Sequence, residues 1–146
     1  MATLSVEIVT NERIVFSETD VEMVSAPGSQ GTLGILPNHA PLVTSLAAGE
    51  LRVRKGGVDQ SMVVFGGFME VTPSKVIVLA DVAEKVEEID VERAEKARRR
   101  AEEAIAHAGD RADLVAAQAR LSRAQIRLRV GERRRSSRRT PGQPPQ

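Results

Sequence analysis

The chain carries few side chains equipped for covalent chemistry. One of its two histidines, His39, lies in the segment Gly31-Thr32-Leu33-Gly34-Ile35-Leu36-Pro37-Asn38-His39-Ala40-Pro41-Leu42, between two prolines that fix φ and remove backbone donors. An imidazole acts as a base only when a Ser, Cys or carboxylate converges on it, and no triad or metal-ligand spacing surrounds His39. The segment reads as an ordered, largely non-helical loop that His39 orients by hydrogen bonds. Gly66-Gly67 is no phosphate cradle, since the chain has neither G-x-x-x-x-G-K-[ST] nor a dinucleotide-binding glycine pattern; a structural bend is expected. Glu87-Glu88 and Glu102-Glu103 are adjacent carboxylates on linker or helix surface, where solvation accounts for them. The absence of Cys excludes disulfides, thiolate ligands and a cysteine nucleophile. No catalytic residue, no metal site and no required cofactor is expected.

Charge is distributed more informatively than reactivity. The net charge of +1 conceals a division: residues 1–83 hold five basic residues against nine acidic, a net of −4, and residues 84–92 hold one against five, also −4. Residues 93–146 hold fifteen against six, a net of +9. The two parts should meet different partners. A +9 segment binds phosphates without sequence preference, so a basic helical nucleic-acid-binding module is the alternative reading. Against it stand the acidic first part and the lack of stacking surfaces, since the aromatic residues are Phe16, Phe65 and Phe68 alone. An enzymatic β-sandwich is the weakest of the three classes. The start Met1-Ala2-Thr3-Leu4-Ser5-Val6-Glu7 lacks the basic and apolar regions of a signal peptide, and no stretch is long and apolar enough to span a bilayer. A cytosolic or peripheral protein is expected.

The elements that must position these residues follow from periodicity. At 146 residues, 41% hydrophobic and 28% charged, the chain supports one compact domain with an appendage. From Thr3 to about Asp81 apolar residues alternate with period two and are interrupted by turn signals such as Lys55-Gly56-Gly57 and Thr72-Pro73-Ser74. Many short strands at this spacing make a small sandwich or barrel. At Asp90, a plausible N-cap, the period becomes helical, and Ala94, Ala97, Ala101, Ala104 and Ala108 fall on one narrow stripe. His107-Ala108-Gly109-Asp110 ends this helix and starts another, whose Leu114, Ala117, Leu121, Ala124 and Leu128 form the matching stripe up to Gly131. The expected organisation is a β-sandwich over 1–83, an antiparallel helical hairpin over 84–131, and a disordered basic and Pro-rich tail over 132–146. Methyl groups bury little area at roughly 25 cal/mol per Å², so the hairpin should be marginal alone.

The pattern G-x-L-G-x-L-P-x-H-x-P-L from Gly31, following the strand Val21-Glu22-Met23-Val24-Ser25, resembles the epsilon subunits of bacterial and chloroplast F-type ATP synthases. Phe65-Gly66-Gly67-Phe68-Met69-Glu70-Val71 matches a second hallmark of that family, and Ile89-Asp90-Val91-Glu92-Arg93-Ala94 a third. These markers and the strand-then-hairpin order cover residues 3 to about 131. Thr32 departs from the acidic residue many relatives carry in the loop thought to face the c-ring, and Asn38 replaces a usual Gly.

The resemblance implies a sandwich of about ten strands followed by two helices. It implies a non-catalytic central-stalk subunit of a proton-translocating complex, peripheral on the cytoplasmic face of the cell membrane and associated with the membrane only through that complex. The sandwich would dock on the gamma subunit and the c-ring through Gln30, Gly31, Thr32, Leu33, Gly34, Pro37 and His39. The hairpin would fold down or extend, and when extended would meet the alpha and beta subunits and block ATP hydrolysis, with Arg120, Arg123, Arg127 and Arg129 facing acidic loops of beta. Some relatives also bind a regulatory ATP in the folded-down hairpin. Carried onto this chain, that set is Glu84, Asp90, Arg93, Arg100, Arg123 and Arg127, with guanidinium groups clamping phosphates. Nucleic acid is not among the partners implied.

Overall fold

The computed structural model describes residues 2–137. Among these, eight strands come first: β1 (Leu4–Val9), β2 (Ile14–Val21), β3 (Met23–Gly28), β4 (Gly31–Ile35), β5 (Leu42–Ser45), β6 (Gly49–Lys55), β7 (Val58–Val71) and β8 (Lys75–Lys85). A 3-10 turn at Val86–Glu88 leads to helices α1 (Val91–Ala106) and α2 (Arg111–Ser137). The chain divides into two compact units after Lys85.

The strands run in the order β2-β1-β8-β7-β6-β3-β4, with β5 attached to β7. The first part of β7 pairs with β6, from Lys55 opposite Val58 to Gly49 opposite Val64, and its last part pairs with β5, from Ser45 opposite Phe68 to Leu42 opposite Val71. β8 follows β7 along its length and pairs in parallel with β1 at its start. One continuous sheet thus folds over between Phe65 and Gly67 and closes into two layers. The bend needs glycine: Gly66 and Gly67 have φ of 77° and 113°, and a Cβ on Gly67 would stand 2.1 Å from the Leu79 carbonyl oxygen. The expectation of about ten strands is corrected to eight, because β7 and β8 run unbroken through the bend and each serves both layers.

Alternation decides what lies between the layers. Leu4, Val6 and Ile8 of β1 point inward with Val24 and Ala26 of β3, Leu51 and Val53 of β6, Met62 and Val64 of β7, and Val76 and Val78 of β8. β-branched residues dominate this core, as suits pleated, close-packed layers.

In the helical unit Asp90 is the N-cap of α1, its carboxylate accepting from Arg93 N at 3.1 Å. Asp110 does the same for α2, accepting from Asp113 N at 2.8 Å. Ala94 and Ala101 of α1 and Ala117, Ala124 and Leu128 of α2 are buried, marking the seam of an antiparallel hairpin. Ala97, Ala104, Ala108, Leu114 and Leu121 are half-buried beside it. Along α1, Arg98 bonds Glu95 and Glu102, which holds the Glu95 carboxyl below the usual carboxylate range and raises the Arg98 guanidinium.

The helical stop expected at Gly131 is corrected, since α2 continues to Ser137. Gly costs a helix interior only about 1 kcal/mol, and good helix formers follow it. Its smallness answers a packing need instead: a Cβ there would lie 3.0 Å from Val91 Cγ2 and 3.5 Å from Ile89 Cγ2. The expected tail therefore begins as helix, and residues 138–146 lie outside the described residues.

Candidate functional site

The His39 segment is only partly a loop. Gly31–Ile35 is strand β4 at the edge of the sheet, joined to β3 by a tight turn at Ser29-Gln30, with Gly28 opposite Gly31 and Val24 opposite Ile35. Two glycines in five residues disguise it as a loop in the sequence. Gln30, Gly31, Thr32 and Gly34 are exposed, while Leu33 packs on the core and Pro37 and His39 are half-buried. Beyond β4 the chain turns at Asn38, whose φ of 66° is the left-handed conformation that Gly or Asn accepts best. That turn is fastened by Asn38 N donating to Pro73 O at 2.7 Å and His39 N to Leu36 O at 3.2 Å. His39 Nδ1 donates to Ala40 O at 2.7 Å, an orienting bond of the expected kind. No group of His, Cys, Asp or Glu suited to a metal occurs among the described residues.

A second surface was not anticipated from the sequence. On the outer side of the sheet, Ser45, Phe68, Leu79 and Val9 are successive register partners across β5, β7, β8 and β1. Phe68 is 60% exposed, Leu79 57% and Val43, on the same side of β5, 70%. Half-buried Val9 and Ile77 lie on the same side, with Glu70 standing between Val43 and Ile77. The signal of this surface in the sequence is the apolar residue at the outward positions of strands whose inward positions are already filled; reading it requires the register of four strands at once.

The hairpin arginines separate by flank. Relative to the buried Ala94 and Ala101, Arg93 and Arg100 lie on one side of α1, and helical spacing puts Arg120, Arg123 and Arg127 on the corresponding side of α2. Pairing Ala101 with Ala117 and Ala94 with Ala124 sets Arg123 and Arg127 astride the level of Arg93, with Arg100 about 10 Å along the axis, nearer Arg120. Asp90 is engaged as the cap at the start of this flank. Glu84 stands on β8 opposite Val63, in the sheet unit. Arg129 departs from the expected group of four. It borders the other flank, where Glu95, Arg98, Gln125, Leu128, Glu132 and Arg133 also line an open groove of about 740 Å³. Two residues after Arg127, a helix has turned through roughly 200°, so the two guanidiniums cannot share a face.

A strand unit with exposed apolar residues on one face, followed by a basic hairpin, has the surfaces of a subunit of a larger assembly. Comparison with known proteins specifies which. Residues 3–86 match the family described as ATP synthase, Delta/Epsilon chain, beta-sandwich domain, and residues 87–132 match ATP synthase, Delta/Epsilon chain, long alpha-helix domain. The ATP synthase epsilon chain of Dehalococcoides mccartyi is 52% identical over 136 residues, covering 92% of this chain and 96% of that protein. The epsilon chain of Herpetosiphon aurantiacus is 50% identical over 133 residues, covering 91% and 97%. Among solved structures, a chain of the Euglena gracilis mitochondrial ATP synthase (OSCP/F1/c-ring) matches with a TM-score of 0.70 and 25% identity, over 94% of this chain and 82% of that one. The central stalk/c-ring structure of Tetrahymena thermophila mitochondrial ATP synthase shares the fold at a TM-score of 0.62 and 16% identity, over 88% and 96%.

The chain belongs to the ATP synthase delta/epsilon family, as an epsilon subunit. It works in association with other ATP synthase subunits. No described helix is long and apolar enough to cross a membrane. The nucleic-acid alternative finds no support in these relatives.

Proposed function

We propose that this subunit couples rotation of a membrane-embedded c-ring to the gamma subunit through its sandwich, and that its hairpin restrains ATP hydrolysis. The observation that carries the coupling half is the outer face formed by Val43, Phe68 and Leu79 with Val9 and Ile77. Exposed apolar side chains on a rigid sheet cost free energy in water until a partner covers them, and the resemblance to epsilon subunits makes the gamma subunit the expected partner. The exposed β3–β4 turn and β4 edge, with Gln30, Gly31, Thr32 and Gly34, supply a separate polar surface for the ring. Half-buried Pro37 and His39 adjoin that surface, and Leu33 anchors β4 to the core. The complex then holds the subunit at the cytoplasmic face of the cell membrane.

The regulatory half rests on charge. Arg120, Arg123 and Arg127 form one basic flank suited to acidic surfaces of the alpha and beta subunits when the hairpin extends. With Arg93 and Arg100 the same flank suits the phosphates of a regulatory ATP when the hairpin is closed. One surface serving both ligands would make ATP and the catalytic subunits compete for the hairpin.

The test is a synthase complex assembled with residues 1–85 in place of the full chain. The proposal expects retained gamma binding and ATP synthesis, with ATP hydrolysis raised severalfold. Loss of gamma binding by a folded 1–85 fragment would overturn the coupling assignment, and unchanged hydrolysis would overturn the brake.

A further inference from the structure

The far end of α2 meets the start of the helical unit at a set of contacts that the hairpin's alanine seam does not require. Leu128, Gly131 and Arg134 recur at steps of three, so each neighbours the next on the surface of α2, along a ridge inclined to its axis. Leu128 is buried in the seam. Gly131 is also buried, and its Cα lies so close to Ile89 and Val91 that no side chain fits between them without displacement. One turn later the Arg134 guanidinium pairs with the Glu87 carboxylate in the 3-10 turn. The segment Glu87–Glu92 holds four carboxylates and no basic residue, and Arg134 meets it from α2. Shape and charge therefore match at the one place where α2 outruns α1.

We propose that the part of α2 beyond Gly131 is an electrostatic clasp that holds the two-helix hairpin shut by pairing Arg134 with Glu87. The hairpin is closed at one end by the covalent turn at His107–Asp110, and between the ends it is held by small alanine contacts. Separation of the helices begins most easily at the end away from the turn, because the covalent turn constrains the other. A pair at that end therefore acts on every opening that starts there. The ion pairs of Arg98 with Glu95 and Glu102 run within α1 and have no such effect, since they survive separation of the helices. The pair is partly exposed, with the Glu87 side chain 56% and the Arg134 side chain 25% accessible, so its strength is modest and salt-sensitive. A modest clasp suits an element that must open. The proposal stands whether or not the hairpin restrains hydrolysis, because it concerns the closing of the hairpin alone.

The chain has no cysteine, so a single introduced thiol reports on one position. Ala124→Cys places it in the seam, where the native residue is 1% exposed, and Ser122→Cys places a control on the open surface. Labelling of the full chain by a thiol reagent, under conditions where the hairpin recloses faster than it reacts, measures the open fraction. Glu87→Arg or Arg134→Glu should each raise labelling at position 124 roughly two- to fivefold at low salt, as expected for loss of a partly exposed pair. The double exchange E87R/R134E should return it toward the original rate, and about 1 M salt should remove the differences, while position 122 stays constant throughout. Labelling in both single variants that equals the unsubstituted rate at low salt would overturn the clasp. So would single-variant increases that the charge exchange fails to reverse, because the effect would then not depend on pairing.

Discussion

Phe68 on β7 stands directly opposite Leu79 on β8, and both side chains project from the sheet into solvent. Cross-strand apolar neighbours normally gain by facing a core; here they face outward immediately beside the Gly66–Gly67 bend, which fixes their position. A buried partner surface would desolvate the two together. Phe68→Glu or Leu79→Glu should therefore weaken association with gamma by roughly tenfold or more while leaving the fold intact. Far-UV circular dichroism checks the second half of this expectation and a binding titration the first. Undiminished binding by both charged variants would place the gamma contact elsewhere.

The bend itself should be intolerant. A Cβ on Gly67 would meet the Leu79 carbonyl oxygen at 2.1 Å and the Ala80 Cα at 2.8 Å, in a backbone conformation with φ of 113° that L residues rarely adopt. Neither neighbour is a flexible side-chain tip, so the strands must part. Gly67→Ala is expected to destabilise the sheet unit by at least about 2 kcal/mol, measured by urea denaturation. Gly57→Ala in the β6–β7 turn meets no atom within 4 Å, so its cost should be limited to backbone strain and be smaller. A reversed order would show that β7 does not turn at Gly67.

Much of this arrangement is readable in the sequence, for physical reasons that differ by element. Leu4, Val6 and Ile8 alternate because one face of β1 meets the core, and Asp90 announces α1 because a carboxylate can satisfy an orphan N–H at a helix start. The sites are less legible. Gly66-Gly67 reads as a bend, but only the strand pairing shows that β7 continues through it as one strand. Gly131 looks like a helix stop, although its missing side chain lets Val91 approach. Arg129 has the same chemistry as Arg127, and only the helical turn assigns them to different flanks. The Phe68–Leu79 face depends on pairing between strands, which local periodicity does not encode.

Arg54 and Asp59 pair across β6 and β7 with contacts of 2.8 and 3.3 Å. The guanidinium hydrogen bond holds the Asp59 carboxyl below its ordinary value of 3.8, and the carboxylate raises Arg54 in return. A carboxyl depressed on folding adds stability above its unfolded value and loses that contribution as pH falls through the folded one. Asp59→Asn should therefore lower the thermal midpoint slightly at pH 7, the two groups being well exposed, and the difference should shrink progressively below about pH 4. Thermal melts of both proteins across that range provide the check. A difference that persists unchanged to about pH 2 would mean that the substitution acts through packing rather than charge.

The geometry of the hairpin also makes ATP binding testable in a way that residue types alone do not. Arg93, Arg123 and Arg127 lie at one level of one flank, Arg100 lies farther along it, and Arg129 lies on the other. If phosphates are clamped on the first flank, Arg93→Ala, Arg123→Ala and Arg127→Ala should each weaken ATP binding by roughly tenfold, since charge-assisted contacts contribute about 1.5–3 kcal/mol. Arg100→Ala should have a smaller effect and Arg129→Ala almost none. Asp90 needs a different substitution, because Ala would also remove the α1 cap at a cost of about 1 kcal/mol. Asp90→Ser keeps a capping oxygen and removes the charge, so it separates a ligand role from a capping role. Isothermal titration of the full chain, with circular dichroism as the control for helicity, gives each affinity. Equal losses from Arg129→Ala and Arg123→Ala would indicate only diffuse attraction between a basic hairpin and a polyanion, and saturable binding by none of the proteins up to millimolar ATP would leave the hairpin without a nucleotide site.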